Sequence, residues 1–261
     1  MLNKSPTIIS SGFFLIALII LSLDANISLF LLINKVGTAF VDEIWILLTL
    51  FGNKMFILVL IFCFFSRSPD LLRAALIAAL VSLLISSGIK SLIALERPYE
   101  VLNPASFQLI GNKLTTFSFP SGHTTGAFAV MGCVGFYYKN NGLILLALFF
   151  ASLVGLSRIM LGVHWPIDVL IGAALGWVCA SLGVSLINAH FLRDNNIWDY
   201  VTYAIYLLIA AYLFWQGSQY NTAYWMVKIV SGVGILVAIG AFIWLFRGGR
   251  KEPVSVTGWL S

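Results

Sequence analysis

Ser157-Arg158-Ile159-Met160-Leu161-Gly162-Val163-His164-Trp165-Pro166-Ile167-Asp168 places an arginine, a histidine and an aspartate between two apolar runs. At the centre of a bilayer an arginine or aspartate is disfavoured by about 2.5–3.5 kcal/mol on insertion scales, so such residues mark functional sites by default. The meaning of the stretch therefore depends on whether its flanks cross a membrane. The run before it, Leu143 to Ser157, and the run after it, Pro166 to Ala189, are almost free of charge. A helix rises 1.5 Å per residue and needs about 20 apolar residues to span the hydrocarbon layer.

Composition answers the question. The 261 residues are 60% hydrophobic and 10% charged, with a mean hydropathy of +0.98. A soluble domain carries about 25% charged residues. The chain is read as an integral membrane protein with no room for a sizeable soluble domain. Its net charge of +5 reports cytoplasmic Lys and Arg. No basic run with interleaved aromatics points to nucleic acid. Cys63, Cys133 and Cys179 lie inside apolar segments, at spacings that fit neither a metal motif nor a disulfide framework, and read as packing residues. Leu21-Ser22-Leu23-Asp24 offers no small-residue cleavage site after the first apolar run, so that run reads as a retained helix.

The expected spans are Thr7–Leu23, Ile44–Phe65, Leu71–Leu95, Gly122–Tyr138, Leu143–Ser157, Pro166–Ala189, Tyr200–Trp215 and Tyr224–Phe246. Ile27–Ile33 is too short to cross and reads as an interfacial helix. Gly52-Asn53-Lys54 breaks the second span, leaving Met55–Phe65 as its core. The fold class is thus all-α, a polytopic membrane helix bundle. It divides into a six-helix core in residues 1–190 and a C-terminal hairpin with a basic tail in residues 191–261. Lys4, Arg67, Arg73, Lys139, Arg193, Arg247, Arg250 and Lys251 fall on one side and set both termini in the cytoplasm.

This topology gathers the unusual residues at the outer edge. Lys90 and Arg97 are seven apart, about two helical turns, so they are expected to share a helix face, with Pro98 stopping the helix just beyond Arg97. Pro120-Ser121-Gly122-His123 opens a span with free backbone N–H groups, an anion site. There Gly122 permits close approach, Ser121 can donate a hydroxyl and His123 can carry a proton. His164 and Asp168 are four apart, so the carboxylate can fix the imidazole tautomer. Taken alone, each group has a plain structural explanation: snorkelling cations, an N-cap, a capping pair. Together, three cations, a helix start and a His–Asp pair on one edge are what phosphoryl transfer needs. No carboxylate cluster suggests Mg²⁺ and no third His or Cys suggests zinc, so neither metal nor cofactor is expected. The polar loop Glu96–Pro120 carries Tyr99, Phe107, Phe117 and Phe119, read as interfacial anchors. Glu96 and Glu100 stand beside Arg97, either to pair with it or to repel phosphate.

Lys90-x6-Arg97-Pro98, Pro120-Ser121-Gly122-His123 and Ser157-Arg158-x5-His164-x3-Asp168 together resemble the three-part signature of the type 2 phosphatidic acid phosphatase family, which shares its site with the vanadium haloperoxidases. The resemblance covers Lys90 to Asp168 directly and the first six spans by topology. It leaves the last two spans unaccounted for. His190 matches nothing and reads as a loop residue. The resemblance implies that His164 attacks phosphorus, Asp168 orients His164, and His123 protonates the leaving oxygen and then activates water. It implies that Lys90, Arg97, Arg158, Ser121 and the Gly122 backbone hold the phosphate oxygens without metal. The expected activity is hydrolysis of a lipid phosphate or diphosphate at the outer face of the cytoplasmic membrane. Undecaprenyl diphosphate, phosphatidic acid and phosphatidylglycerol phosphate are the candidate substrates. Transfer of the phosphate to an acceptor lipid such as lipid A is the alternative, since both reactions use one intermediate. A non-enzymatic headgroup binder leaves the His–Asp spacing unexplained. The expected partners are a membrane lipid and the bilayer, not nucleic acid. Motif spacing fixes neither the lipid nor the oligomeric state.

Overall fold

The first apolar run forms α1 (Pro6–Ser22), which ends where Asp24 takes a positive φ of 49°. Helix α2 (Asn26–Gly37) leaves at 109° to it. This computed structural model describes residues 6–189, 196–218 and 220–248; Lys4, His190, Arg193, Arg250 and Lys251, named above, lie outside the described residues. Among the described residues every regular element is helical, as the composition predicts.

Helices α3 (Asp42–Leu50) and α4 (Lys54–Phe65) form a second bent pair, turning by 70°. The break falls at Phe51-Gly52-Asn53. There the Asn53 side chain caps α4 by accepting from the N–H groups of Met55 (3.0 Å) and Phe56 (3.2 Å). Helix α5 (Pro69–Ile93) follows, with proline in its first turn. The short α6 (Pro98–Val101) and a single 3-10 turn (Pro104–Ser106) belong to the polar loop. Then come α7 (Gly122–Tyr138), α8 (Asn141–Met160), α9 (Pro166–Asn188), α10 (Asn196–Gln216) and α11 (Asn221–Phe246).

Five of these segments are long and apolar enough to cross a membrane, and seven if each bent pair counts as one span. The expected span that falls outside this count is α7, with 17 residues and a length of about 26 Å. It is the central helix, enclosed by α5, α8 and α9. Close packing around it depends on small residues. A Cβ on Gly176 of α9 would lie 2.4 Å from the Thr125 carbonyl oxygen of α7, so the two backbones meet directly. Trp177 fills the space beside them, its ring 4.9 Å from that of Phe136. Cys133 and Cys179 are buried in the same cluster as free thiols. The outer surface carries Leu92, Trp215 and Phe246, each more than three-quarters exposed, as a lipid-facing surface does. The molecule is a multi-pass membrane protein.

The C-terminal hairpin α10–α11 packs over α4, with α10 reaching α5 and α11 reaching α3. A buried ion cluster fastens it. Arg73 of α5 pairs with Asp70 and, at 2.6 Å, with Asp199 of α10. The Tyr203 hydroxyl donates to the Ser66 carbonyl (2.6 Å) and that of Tyr206 to the Leu72 carbonyl (3.0 Å).

Two local expectations change. Helix α5 stops at Ile93, where Ala94 adopts a φ of 49°, so Lys90 and Arg97 do not share a helix face. The residue before Pro98 is held extended, and the Leu95 carbonyl accepts from the Ser118 N–H at 2.8 Å. Of the loop aromatics, Tyr99 is buried and its hydroxyl both donates to and accepts from the Leu114 backbone (2.7 and 2.9 Å). Phe107 packs on Phe30. Phe117 is the one of the four that is exposed.

Candidate active site

Helix α9 begins at Pro166, so His164 lies just before it and Asp168 in its first turn. Asp168 Oδ2 accepts the N–H of Trp165 (2.9 Å), which caps the helix, and meets His164 Nδ1 at 3.1 Å. On the other side, Arg97 Nη1 lies 3.3 Å from His164 Nε2. A guanidinium only donates. Nε2 therefore holds the lone pair and Nδ1 the proton, which it donates to the carboxylate. Both residues are almost fully buried. Burial first, and then the positive charges of Arg97, Arg158 and Lys90, hold the His164 imidazole well below its ordinary pKa. It is neutral at pH 7.

The turn that delivers His164 requires glycine. Gly162 has a φ of 75°, and a Cβ there would meet the Gln108 carbonyl oxygen at 2.4 Å. Helix α2 braces the same turn: the Asn34 amide donates to the carbonyls of Gln108 (2.9 Å), Ile159 (3.2 Å) and Met160 (3.0 Å).

Arg97 makes five hydrogen bonds, one for each of its N–H groups. They go to the Thr116 carbonyl (2.6 Å), the Thr116 hydroxyl (3.1 Å), the Phe117 carbonyl (3.1 Å), the Val163 carbonyl (2.8 Å) and His164. Lys90 donates to the carbonyls of Phe117 (2.6 Å) and Ser118 (2.9 Å). Both cations thus clasp the loop 116–118, and the loop carries Ser118 into the site. The Ser118 hydroxyl donates to Asp168 Oδ2 at 2.5 Å. Glu100 forms no ion pair with the Arg97 guanidinium; it accepts from the Arg97 backbone N–H at 2.6 Å and caps α6.

Helix α7 begins at Gly122, with Ser121 as its N-cap. A cis Phe119–Pro120 bond precedes it. The Ser121 hydroxyl oxygen accepts from the N–H (3.4 Å) and hydroxyl (2.9 Å) of Thr124, and the Ser121 N–H donates to the Asp168 carbonyl (3.0 Å). A Cβ placed on Gly122 meets nothing within 4 Å, so the space at its side-chain position in the first turn is open. Arg158 is buried, donates to the Thr49 hydroxyl (2.5 Å), interacts with the Tyr220 hydroxyl and leaves its Nε without a partner. His123 is half-buried beside Gly52.

The residues expected at the site, Lys90, Arg97, Ser121, Gly122, His123, Arg158, His164 and Asp168, gather at one end of α5, α7, α8 and α9. Four neighbours were not legible. Ser118 is one of several polar loop residues with no motif of its own. Thr49 and Lys54 belong to a span whose break signalled only a helix interruption. Tyr220 sits at the start of the last helix, more than 50 residues beyond Asp168.

Residues 71–192 match the PAP2 superfamily. An undecaprenyl-diphosphatase of Sulfolobus acidocaldarius is 29% identical over 160 residues, covering 59% of this chain and 74% of the relative. The bacitracin transport permease protein BcrC of Bacillus licheniformis is 38% identical over 41% of this chain, and the match spans half the length of that relative. The crystal structure of the first transmembrane PAP2 type phosphatidylglycerolphosphate phosphatase from Bacillus subtilis shares the fold, with a TM-score of 0.53 at 24% identity over 71% of this chain and 98% of that one. The matched residues contain all eight expected site positions and exclude Thr49, Lys54 and Tyr220. Residues 71–192 of the chain thus carry a PAP2 superfamily domain.

Proposed function

We propose that the protein hydrolyses a lipid phosphate or diphosphate at the outer face of the cytoplasmic membrane, with both termini inside. The observation that carries this reading is the line Ser118–Asp168–His164–Arg97, which leaves the Nε2 lone pair of a neutral imidazole directed at a guanidinium. A phosphoryl oxygen arriving at that guanidinium takes over the Nη1 donor and frees Nε2. Nε2 then attacks phosphorus, and the P–O bond to the leaving group breaks as His123 delivers a proton to the departing oxygen. Asp168 stabilises the cationic phosphohistidine. In the second half, His123 takes a proton from water, the new O–P bond forms and the N–P bond breaks. Lys90, Arg97, Arg158, Ser121 and the Gly122 backbone hold the equatorial oxygens through the transition state. The residues 1–190 form the phosphatase core, and the hairpin in 191–261 docks on it.

Among the candidate lipids, undecaprenyl diphosphate is favoured. The archaeal relative named for that activity aligns over 59% of this chain. The test is phosphate release from undecaprenyl diphosphate, phosphatidic acid and phosphatidylglycerol phosphate by detergent-purified protein without added metal. Wild type releases phosphate, and His164→Ala loses at least about a thousandfold of the rate, the scale seen when a nucleophile is removed. Equal release by the two proteins rules out the assigned nucleophile.

A further inference from the structure

The break between α3 and α4 is pressed against the catalytic groups. Gly52 admits His123: a Cβ at Gly52 would stand 2.7 Å from His123 Cβ and 2.9 Å from its Cδ2. Thr49, one residue before the end of α3, holds Arg158. Lys54, the first residue of α4, lays its stem over Gly126 of α7, whose Cβ would fall 2.6 Å from Lys54 Cγ. Its ammonium donates to the Gly122 carbonyl at 3.2 Å, at the start of α7. Arg97, Asp168, Arg158 and Lys54 all lie within charge–charge range of Lys90. The site therefore holds four cations against one carboxylate.

The donors are unevenly committed. All five N–H groups of Arg97 and two of the three of Lys90 go to protein acceptors. Lys54 uses one of its three, and the buried Arg158 Nε uses none. A phosphate monoester carries about two negative charges at pH 7, and a terminal diphosphate about one more by the same chemistry. The motif cations Lys90, Arg97 and Arg158, less Asp168, balance the monoester. Lys54 supplies the balance for the additional phosphoryl group.

We propose that Lys54, outside the PAP2 domain, holds the second phosphoryl group of a diphosphate substrate and makes this site prefer diphosphates to monophosphates. This rests on the lipid phosphatase reading, and binding separates the two. Inorganic pyrophosphate and orthophosphate are titrated calorimetrically into detergent-purified wild type, Lys54→Met and Lys54→Arg. In parallel, kcat/KM is measured on a polyprenyl diphosphate and its monophosphate. Wild type binds pyrophosphate more tightly. Lys54→Met, which keeps the stem over Gly126, weakens pyrophosphate by about tenfold or more and orthophosphate by less than about threefold, as loss of one charged hydrogen bond requires. Lys54→Arg keeps the preference, and Lys54→Gln repeats the test if the methionine variant does not fold. The same divergence appears in kcat/KM. If Lys54 only pins the Gly122 carbonyl, both ligands and both substrates weaken equally, and that result overturns the proposal. Wild type without a pyrophosphate preference overturns it as well. A wild type that shows the binding preference but releases no phosphate from any lipid supports the subsite and sinks the lipid phosphatase reading instead.

Discussion

In the proposed mechanism His164 depends on neighbours that do different work. The carboxylate of Asp168 accepts a hydrogen bond from its Nδ1–H, and Arg97 faces the opposite nitrogen. That Asp168 pairs with His164 was legible, since a spacing of four residues brings side chains together even though His164 stands before the helix. Ser118 was not legible, because its contact with Asp168 crosses 50 residues of chain and depends on a loop held by Lys90 and Arg97. Its hydroxyl shares Asp168 Oδ2 with the imidazole and the Trp165 N–H, while Oδ1 has no hydrogen-bond partner. Removing that hydroxyl lets the carboxylate turn. Ser118→Ala is expected to lower kcat about tenfold, the effect of one hydrogen bond to a charged group, with an unchanged melting curve. A kcat within twofold of wild type, a margin of about 0.4 kcal/mol, removes Ser118 from the positioning role.

At the scale of elements, the sequence located the helices well and their ends less well. Apolar runs set α8, α9 and α11 to within a few residues, because membrane helices are long and their flanks polar. The end of α5 was misplaced because Ala94 gives no local sign of a left-handed conformation; just beyond it the Leu95 carbonyl is held by the Ser118 N–H, far along the chain. The break at Gly52-Asn53 was legible as an interruption, but its purpose was not, since His123 reaches it from 70 residues away. Gly52→Ala tests that purpose. Its Cβ must displace His123 or Val154, an overpacking expected to cost about 1–3 kcal/mol. Turnover should fall together with the thermal midpoint, and wild-type values for both would show that α3 and α4 yield freely at the break.

At the scale of the molecule, the hairpin α10–α11 is fixed at its far end and reaches the site at its near end. Arg73, which joins Asp70 to Asp199, lies 17 residues before Lys90 on α5, about 25 Å along the helix axis. Arg73→Met removes the cation that two buried carboxylates share and is expected to destabilise the fold by about 3–5 kcal/mol. The measurement is the thermal midpoint in detergent; an unchanged midpoint means the ion cluster does not fasten the hairpin.

The placement of that hairpin bears on how the chain tolerates an open backbone at all. In hydrocarbon, a peptide group without a partner is costly, so irregular backbone survives at depth only where protein or a wet cavity surrounds it. Helix α4 is 12 residues long, about 18 Å, and cannot cross the hydrocarbon layer alone. Because α10 and α11 lie over it, the lipid tails meet two unbroken helices in its place. The hairpin acts as a sheath, and behind it the chain can keep a bent, polar, lysine-bearing segment beside the chemistry without the bilayer ever wetting or sealing it.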